Sequence, residues 1–60
     1  MSMTYRNETH RKLARNSGQI KSKLFWLNRA IADGEYDEAQ DLLDDMSKII
    51  TSMSELLPEN

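Results

Sequence analysis

Hydrophobic residues recur at helical spacing in both halves of this chain, and a single break separates the two halves. In the first half, steps of three and four residues separate the members of one row: Leu13, Ser17, Ile20, Leu24, Leu27 and Ile31. Such a row is typical of the packing seam of an amphipathic helix. The row predicts a helix over about residues 4–33, with Thr4 as its N-cap. The period-two alternation of a strand does not occur.

The second half carries a wider apolar stripe, also at helical period. Its members are Ala39, Leu42, Leu43, Met46, Ile49, Ile50, Met53, Leu56 and Leu57. The stripe predicts a second helix over about residues 36–57, which Glu35 or Asp37 begins. Pro58 cannot continue a helix, so residues 58–60 are expected to form a frayed tail.

The break between the halves lies at Asp33-Gly34, where glycine suits the left-handed position that follows a helix. Because the apolar row passes Gly18 without a change of register, the first helix is expected to continue through that residue. A turn of two or three residues makes the helices antiparallel. The seam then pairs Leu27 with Leu43 and Leu24 with Met46.

A lone hairpin offers each helix one seam, which is too little for the apolar surface present. Phe25 and Trp26 lie outside the seam of the first helix, on opposite flanks, so residues 24–27 are apolar nearly all round. The sequence therefore predicts an all-α protein, an antiparallel helical hairpin that assembles into a dimeric four-helix bundle or a higher oligomer. The expected oligomer core is Leu13, Ile20, Leu24, Leu27, Ile31, Leu43, Met46, Ile50, Met53 and Leu57.

Charge is divided unevenly between the halves. Residues 1–30 hold seven Lys or Arg and one Glu, whereas residues 31–60 hold one Lys and nine Asp or Glu. Residues 1–60 are expected to form a single domain, in which residues 1–12 overhang the shorter second helix as a basic projection. The division favours two oppositely charged helices that attract each other, and it also permits a basic partner-binding arm.

Little in the sequence points to catalysis. The chain has no cysteine and one histidine, His10, and it lacks a phosphate-binding glycine loop. The carboxylates of residues 37–45 are expected to form a solvated face, because helical acids without a constraining loop seldom bind a hard metal. We therefore expect no enzyme activity, no cofactor and no metal. No apolar run is long enough to cross a membrane, which favours a cytoplasmic protein.

Three local or architectural resemblances extend this picture. In length and hairpin pattern the chain resembles the plasmid copy-control proteins of the Rop type, which implies RNA binding through the first helix. Phe-Trp-Leu-Asn-Arg-Ala-Ile-Ala, residues 25–32, resembles a stretch in the helical hairpin of phage proteins that sequester cyclic oligonucleotide immune signals. Residues 32–39 resemble the turn within a tetratricopeptide helix pair.

The favoured hypothesis is a small non-catalytic regulator or inhibitor of phage or plasmid type that occludes a protein partner. Its partner-binding residues are predicted to be Phe25, Trp26, Arg29, Lys21 and Lys23. One alternative is RNA or DNA binding, or phosphate binding, through Arg6, Arg11, Lys12 and Arg15. Another is sequestration of a cyclic nucleotide between subunits.

Overall fold

A computed structural model describes the backbone of residues 2–57 and the side chains of residues 8–57. Helix α1 runs over Ser2–Ala32 and helix α2 over Tyr36–Leu56, and the two pack against each other. The predicted all-helical hairpin is confirmed, as is the continuity of α1 through Gly18. The predicted N-cap at Thr4 is wrong, because α1 already begins at Ser2. The predicted tail at 58–60 lies outside the described residues.

The turn between the helices follows from one left-handed residue. Gly34 has φ +74°, the conformation predicted for it. Its amide donates to the carbonyl of Ile31 at 3.1 Å, and the Glu35 amide donates to the carbonyl of Ala30 at 2.8 Å. These two bonds form a Schellman motif, which satisfies the last carbonyls of α1. Glu35 then serves as the N-cap residue of α2 without a side-chain cap bond.

On α1, three of the six predicted seam positions are shifted by one residue toward the N-terminus, and the other three are as predicted. The less exposed positions of the seam are Leu13, Asn16, Ile20, Lys23, Leu27 and Ala30, facing Ala39, Leu42, Met46, Ile49, Met53 and Leu56. Leu27, Ala30 and Ala39 are buried, and Leu42 and Met46 pack against them. Two facing alanines let the helices approach closely beside the turn.

Half of the predicted seam row of α1 is therefore corrected. Ser17, Leu24 and Ile31 are exposed, the latter two by 45% and 51%. Both predicted pairings are wrong. Leu42, and not Leu43, packs against the cluster that contains Leu27. Lys23, and not Leu24, lies opposite Met46, and its amine lies 3.4 Å from the Asp45 carboxylate. The physical reason is the alanine contact at the turn, because it rotates α1 toward Ala30 and away from Ile31.

Candidate functional site

Two aromatic side chains form an exposed patch on the outward side of α1. Phe25 is 60% exposed and Trp26 is 51% exposed. Their ring centroids lie 5.1 Å apart with an interplanar angle of 86°, an edge-to-face contact. The sequence placed these side chains on opposite flanks, whereas the structure brings the rings together. We call these two residues the aromatic patch.

A shallow depression of about 360 Å³ adjoins Trp26 at the turn end of the hairpin. It is lined by Trp26, Arg29, Ala30, Asp33, Glu35 and Glu38. The Arg29 guanidinium lies 3.5 Å from the carboxylate of Asp33 in the turn, so its charge is partly balanced by a neighbouring residue. Glu35 and Glu38 supply two further carboxylates. The surroundings of Trp26 are thus mixed in charge and acidic on balance.

The predicted basic rim does not gather around the aromatic patch. Of its three members, only Arg29 lines the depression. Lys23 lies in the seam and pairs with Asp45. Lys21 is exposed and, two residues earlier than Lys23, lies on a different side of α1. Sequence reasoning missed the acidic lining, although Glu35 and Glu38 directly follow the turn.

The remaining exposed large hydrophobic side chains lie on one side of the hairpin. Each directly follows a seam position or begins α2: Leu24, Ile31, Tyr36, Leu43, Ile50 and Leu57. Residues that follow corresponding seam positions of two antiparallel helices lie on the same side of the pair. We call these six residues the apolar side. Its signal in the sequence is the seven-residue step from Tyr36 to Leu43, Ile50 and Leu57.

The residues that border the apolar side are almost all uncharged. On α2 they are Gln40, Ser47 and Ser54, and on α1 they are Ala14, Lys21 and Asn28. Lys21 is the one charged residue among them. The carboxylates of α2, from Asp37 to Glu55, fall on the remaining helix faces. The apolar side therefore runs along the hairpin with Lys21 as the one charged residue among those bordering it.

The predicted phosphate-binding residues lie at the opposite end from the turn. Arg11, Lys12 and Arg15 are exposed. Because α1 has 31 residues and α2 has 21, the first turns of α1 extend beyond the end of α2. The side chain of Arg6 lies outside the described residues. The acids between residues 33 and 45 lie in the half of the hairpin that contains the turn, which is strongly acidic. The open end, where Glu8 and Glu55 also lie, is weakly basic.

Within the described residues, no three His, Asp or Glu side chains come together as a metal site would require. No helix in this part of the chain combines the length and the apolarity that crossing a membrane demands. Comparisons of the chain with known protein families, with curated proteins and with solved structures found no match.

Proposed function

We propose that this chain is a non-catalytic, cytoplasmic helical-hairpin protein that acts as an oligomer and occludes a surface of a protein partner. The aromatic patch supplies the main contact with that partner. The observation that carries the proposal is the exposure of both rings, Phe25 by 60% and Trp26 by 51%, although they contact each other edge to face. A regulator or inhibitor of the small phage and plasmid kind needs no more than such a surface.

Energetic reasoning supports an aromatic anchor. Phe and Trp each bury about 150–250 Å² when they are covered, and Trp is enriched among the residues that dominate binding energy. The edge-to-face contact restricts both rings before a partner arrives. A restricted side chain loses less conformational freedom on binding than a mobile one.

The charge around the patch favours a protein partner over a nucleic acid. Residues 29–45 hold seven carboxylates and a single cation, Arg29. Phosphates would be repelled from this end of the hairpin, whereas a partner surface with Lys or Arg around an apolar residue would be attracted. We therefore propose that the partner presents a basic rim to Glu35 and Glu38 and an apolar residue to Trp26.

The proposal is tested by capture on immobilised wild-type chain and on Phe25→Ala, Trp26→Ala and Gln19→Ala variants. Gln19 lies two turns before Trp26 on the same side of α1, so Gln19→Ala is the matched control. Protein retained by the wild type is expected to remain on Gln19→Ala. Trp26→Ala is expected to weaken the affinity of the purified partner by about 30-fold or more, as an interface anchor does.

Trp26 also reports on binding directly, because it is the single tryptophan of the chain. Its fluorescence is expected to shift to shorter wavelength, and its quenching by acrylamide to fall, when the purified partner is added. If nucleic acid alone is retained, or if loss of both rings leaves protein capture unchanged, the proposal is wrong.

A further inference from the structure

We infer that a second copy of this chain covers the apolar side, with the two hairpins antiparallel, so that the turn of one lies beside the open end of the other. In this dimer each α2 packs on the α2 of the second copy. The inference rests on the oligomeric part of the proposed function and specifies the interface, its orientation and its register.

The single hairpin exposes more surface than a folded monomer of its mass usually does. Its accessible surface is 5214 Å² for 7.0 kDa, whereas a folded monomer of that mass exposes roughly 4,000 Å². The excess of roughly 1,200 Å² is spread over the whole elongated chain, and the six residues of the apolar side, each 45–69% exposed, contribute apolar surface to it. Among residues 8–57, only the side chains of Leu27, Ala30 and Ala39 are buried within the hairpin. A second copy supplies the missing core.

The composition of the apolar side fits an interface between identical chains. Interface cores are depleted of charged residues, and this surface has only Lys21 at its border. The small side chains of Ser47 and Ser54 allow a neighbouring helix to approach closely. Lys21 can extend its amine past the edge of the contact while its methylene groups stay in it.

The orientation follows from the uneven charge along the hairpin. Arg11, Lys12 and Arg15 lie toward the open end, and the acids of residues 33–45 lie toward the turn. Parallel hairpins would place the two acidic ends together and the two basic ends together. Antiparallel hairpins place each basic end beside an acidic one, and like charges are kept apart. A twofold axis between the copies then relates them.

The spacing on α2 sets the register. Tyr36, Leu43, Ile50 and Leu57 are evenly spaced, so an antiparallel copy aligns Leu43 with the second copy's Ile50 and Tyr36 with the second copy's Leu57. The twofold axis then crosses α2 beside Met46 and Ser47. Because Lys23 lies opposite Met46, the axis passes α1 beside Ser22 and Lys23, and the same register places Leu24 opposite the second copy's Lys21. The two copies of Leu24 then lie roughly 4.5 Å apart along the helix axes.

Cysteine cross-linking tests this register, because the chain has no cysteine of its own. Ser47 and Ser54 are exposed residues one heptad apart on the same side of α2. In the antiparallel dimer Ser47 lies next to the axis, whereas the two copies of Ser54 are roughly 22 Å apart. A disulfide requires Cα atoms within about 7 Å. We therefore expect mild oxidation to link S47C into covalent dimers and to leave S54C unlinked.

A double variant provides the positive control for the second serine. Gln40 of one copy lies opposite Ser54 of the other in this register, so oxidation of Q40C/S54C is expected to give covalent dimers. Within one chain these residues lie about 21 Å apart along the helix, so a linked monomer is not expected. Circular dichroism before oxidation establishes that each variant retains the helical content of the wild type.

Two results would overturn the inference. One is sedimentation of the wild type as a helical 7 kDa species at tens of micromolar. The other is a dimer in which S47C and S54C cross-link equally or not at all, as parallel hairpins would give. Neither result bears on capture through Trp26, which lies on another side of α1. The dimer and the partner-binding proposal therefore fail independently.

Discussion

Gly18 and Gly34 are the two glycines of the chain, and glycine is favoured by the backbone conformation at Gly34 but not at Gly18. Gly34 adopts φ +74°, which places a Cβ too close to the following carbonyl oxygen. Gly18 lies within α1, where glycine is a poor helix former. Beyond the adjacent residues and, for Gly18, the local helix backbone, a Cβ built at either residue meets no heavy atom within 4 Å. The effect of alanine at each position is therefore a backbone effect and not a packing effect.

We predict that Gly34→Ala lowers the free energy of unfolding by about 1–2 kcal/mol and that Gly18→Ala raises it by about 0.5–1 kcal/mol. Urea unfolding followed by circular dichroism, at one fixed protein concentration, measures both. Each variant is the control for the other, because both add the same methyl group in open space. If the free energy of unfolding changes in the same direction in both variants, the explanation from backbone conformation is wrong.

At the scale of the helices, the seam combines apolar and polar residues. Lys23 and Asn16 occupy seam positions that face methionines, Met46 and Met53. The Lys23 pair with Asp45 is partly exposed and contributes below ~1 kcal/mol. An apolar side chain at this position would pack on Met46 instead. The polar residues of the seam thus cost stability and restrict the alignment of the two helices.

We predict that Lys23→Met raises the free energy of unfolding by roughly 1 kcal/mol, since apolar burial exceeds the lost ion pair. Lys48→Met is the control, because Lys48 is exposed on α2 away from the seam and should change stability little. Chemical denaturation compares the two at equal concentration. A loss of stability in Lys23→Met would mean that the pair with Asp45 contributes more than an exposed pair does.

At the scale of the whole molecule, the charges are separated along a body 49 Å long and 17 by 14 Å across. The turn end is acidic and the open end is weakly basic. A single exposed ion pair contributes little to stability. The acidic end of one hairpin and the basic end of another nevertheless attract each other, over a distance that shortens as the salt concentration rises. The dimer orientation proposed above should therefore respond to ionic strength.

We predict that Lys12→Glu raises the dimer Kd several-fold at about 20 mM salt, and that the difference disappears near 0.5 M because the charges are screened. Lys48→Glu makes the same change of charge close to the twofold axis, at equal distance from both ends, and should have a smaller effect. Sedimentation equilibrium at both salt concentrations measures this. If Lys12→Glu instead lowers the dimer Kd at low salt, the antiparallel orientation is excluded.

Much of the architecture was determined by the sequence alone. Helical spacing on both sides of Gly34 predicted the two helices to within a few residues, because apolar periodicity and a left-handed glycine act locally. The uneven distribution of charge and the surplus of apolar residues also follow directly from the sequence. The exposure of Phe25 and Trp26 agrees with the flanking positions that the spacing gave them.

Which apolar row enters the seam was decided only by tertiary structure. Helix α2 offers two adjacent rows, one through Leu42 and Met46 and another through Leu43 and Ile50, and periodicity is the same for both. Close approach at Ala30 and Ala39 selects the first row. The second row, with Leu24 and Ile31, is left exposed. Rotation of a helix about its axis depends on contacts between elements, and no local pattern in one helix contains that information.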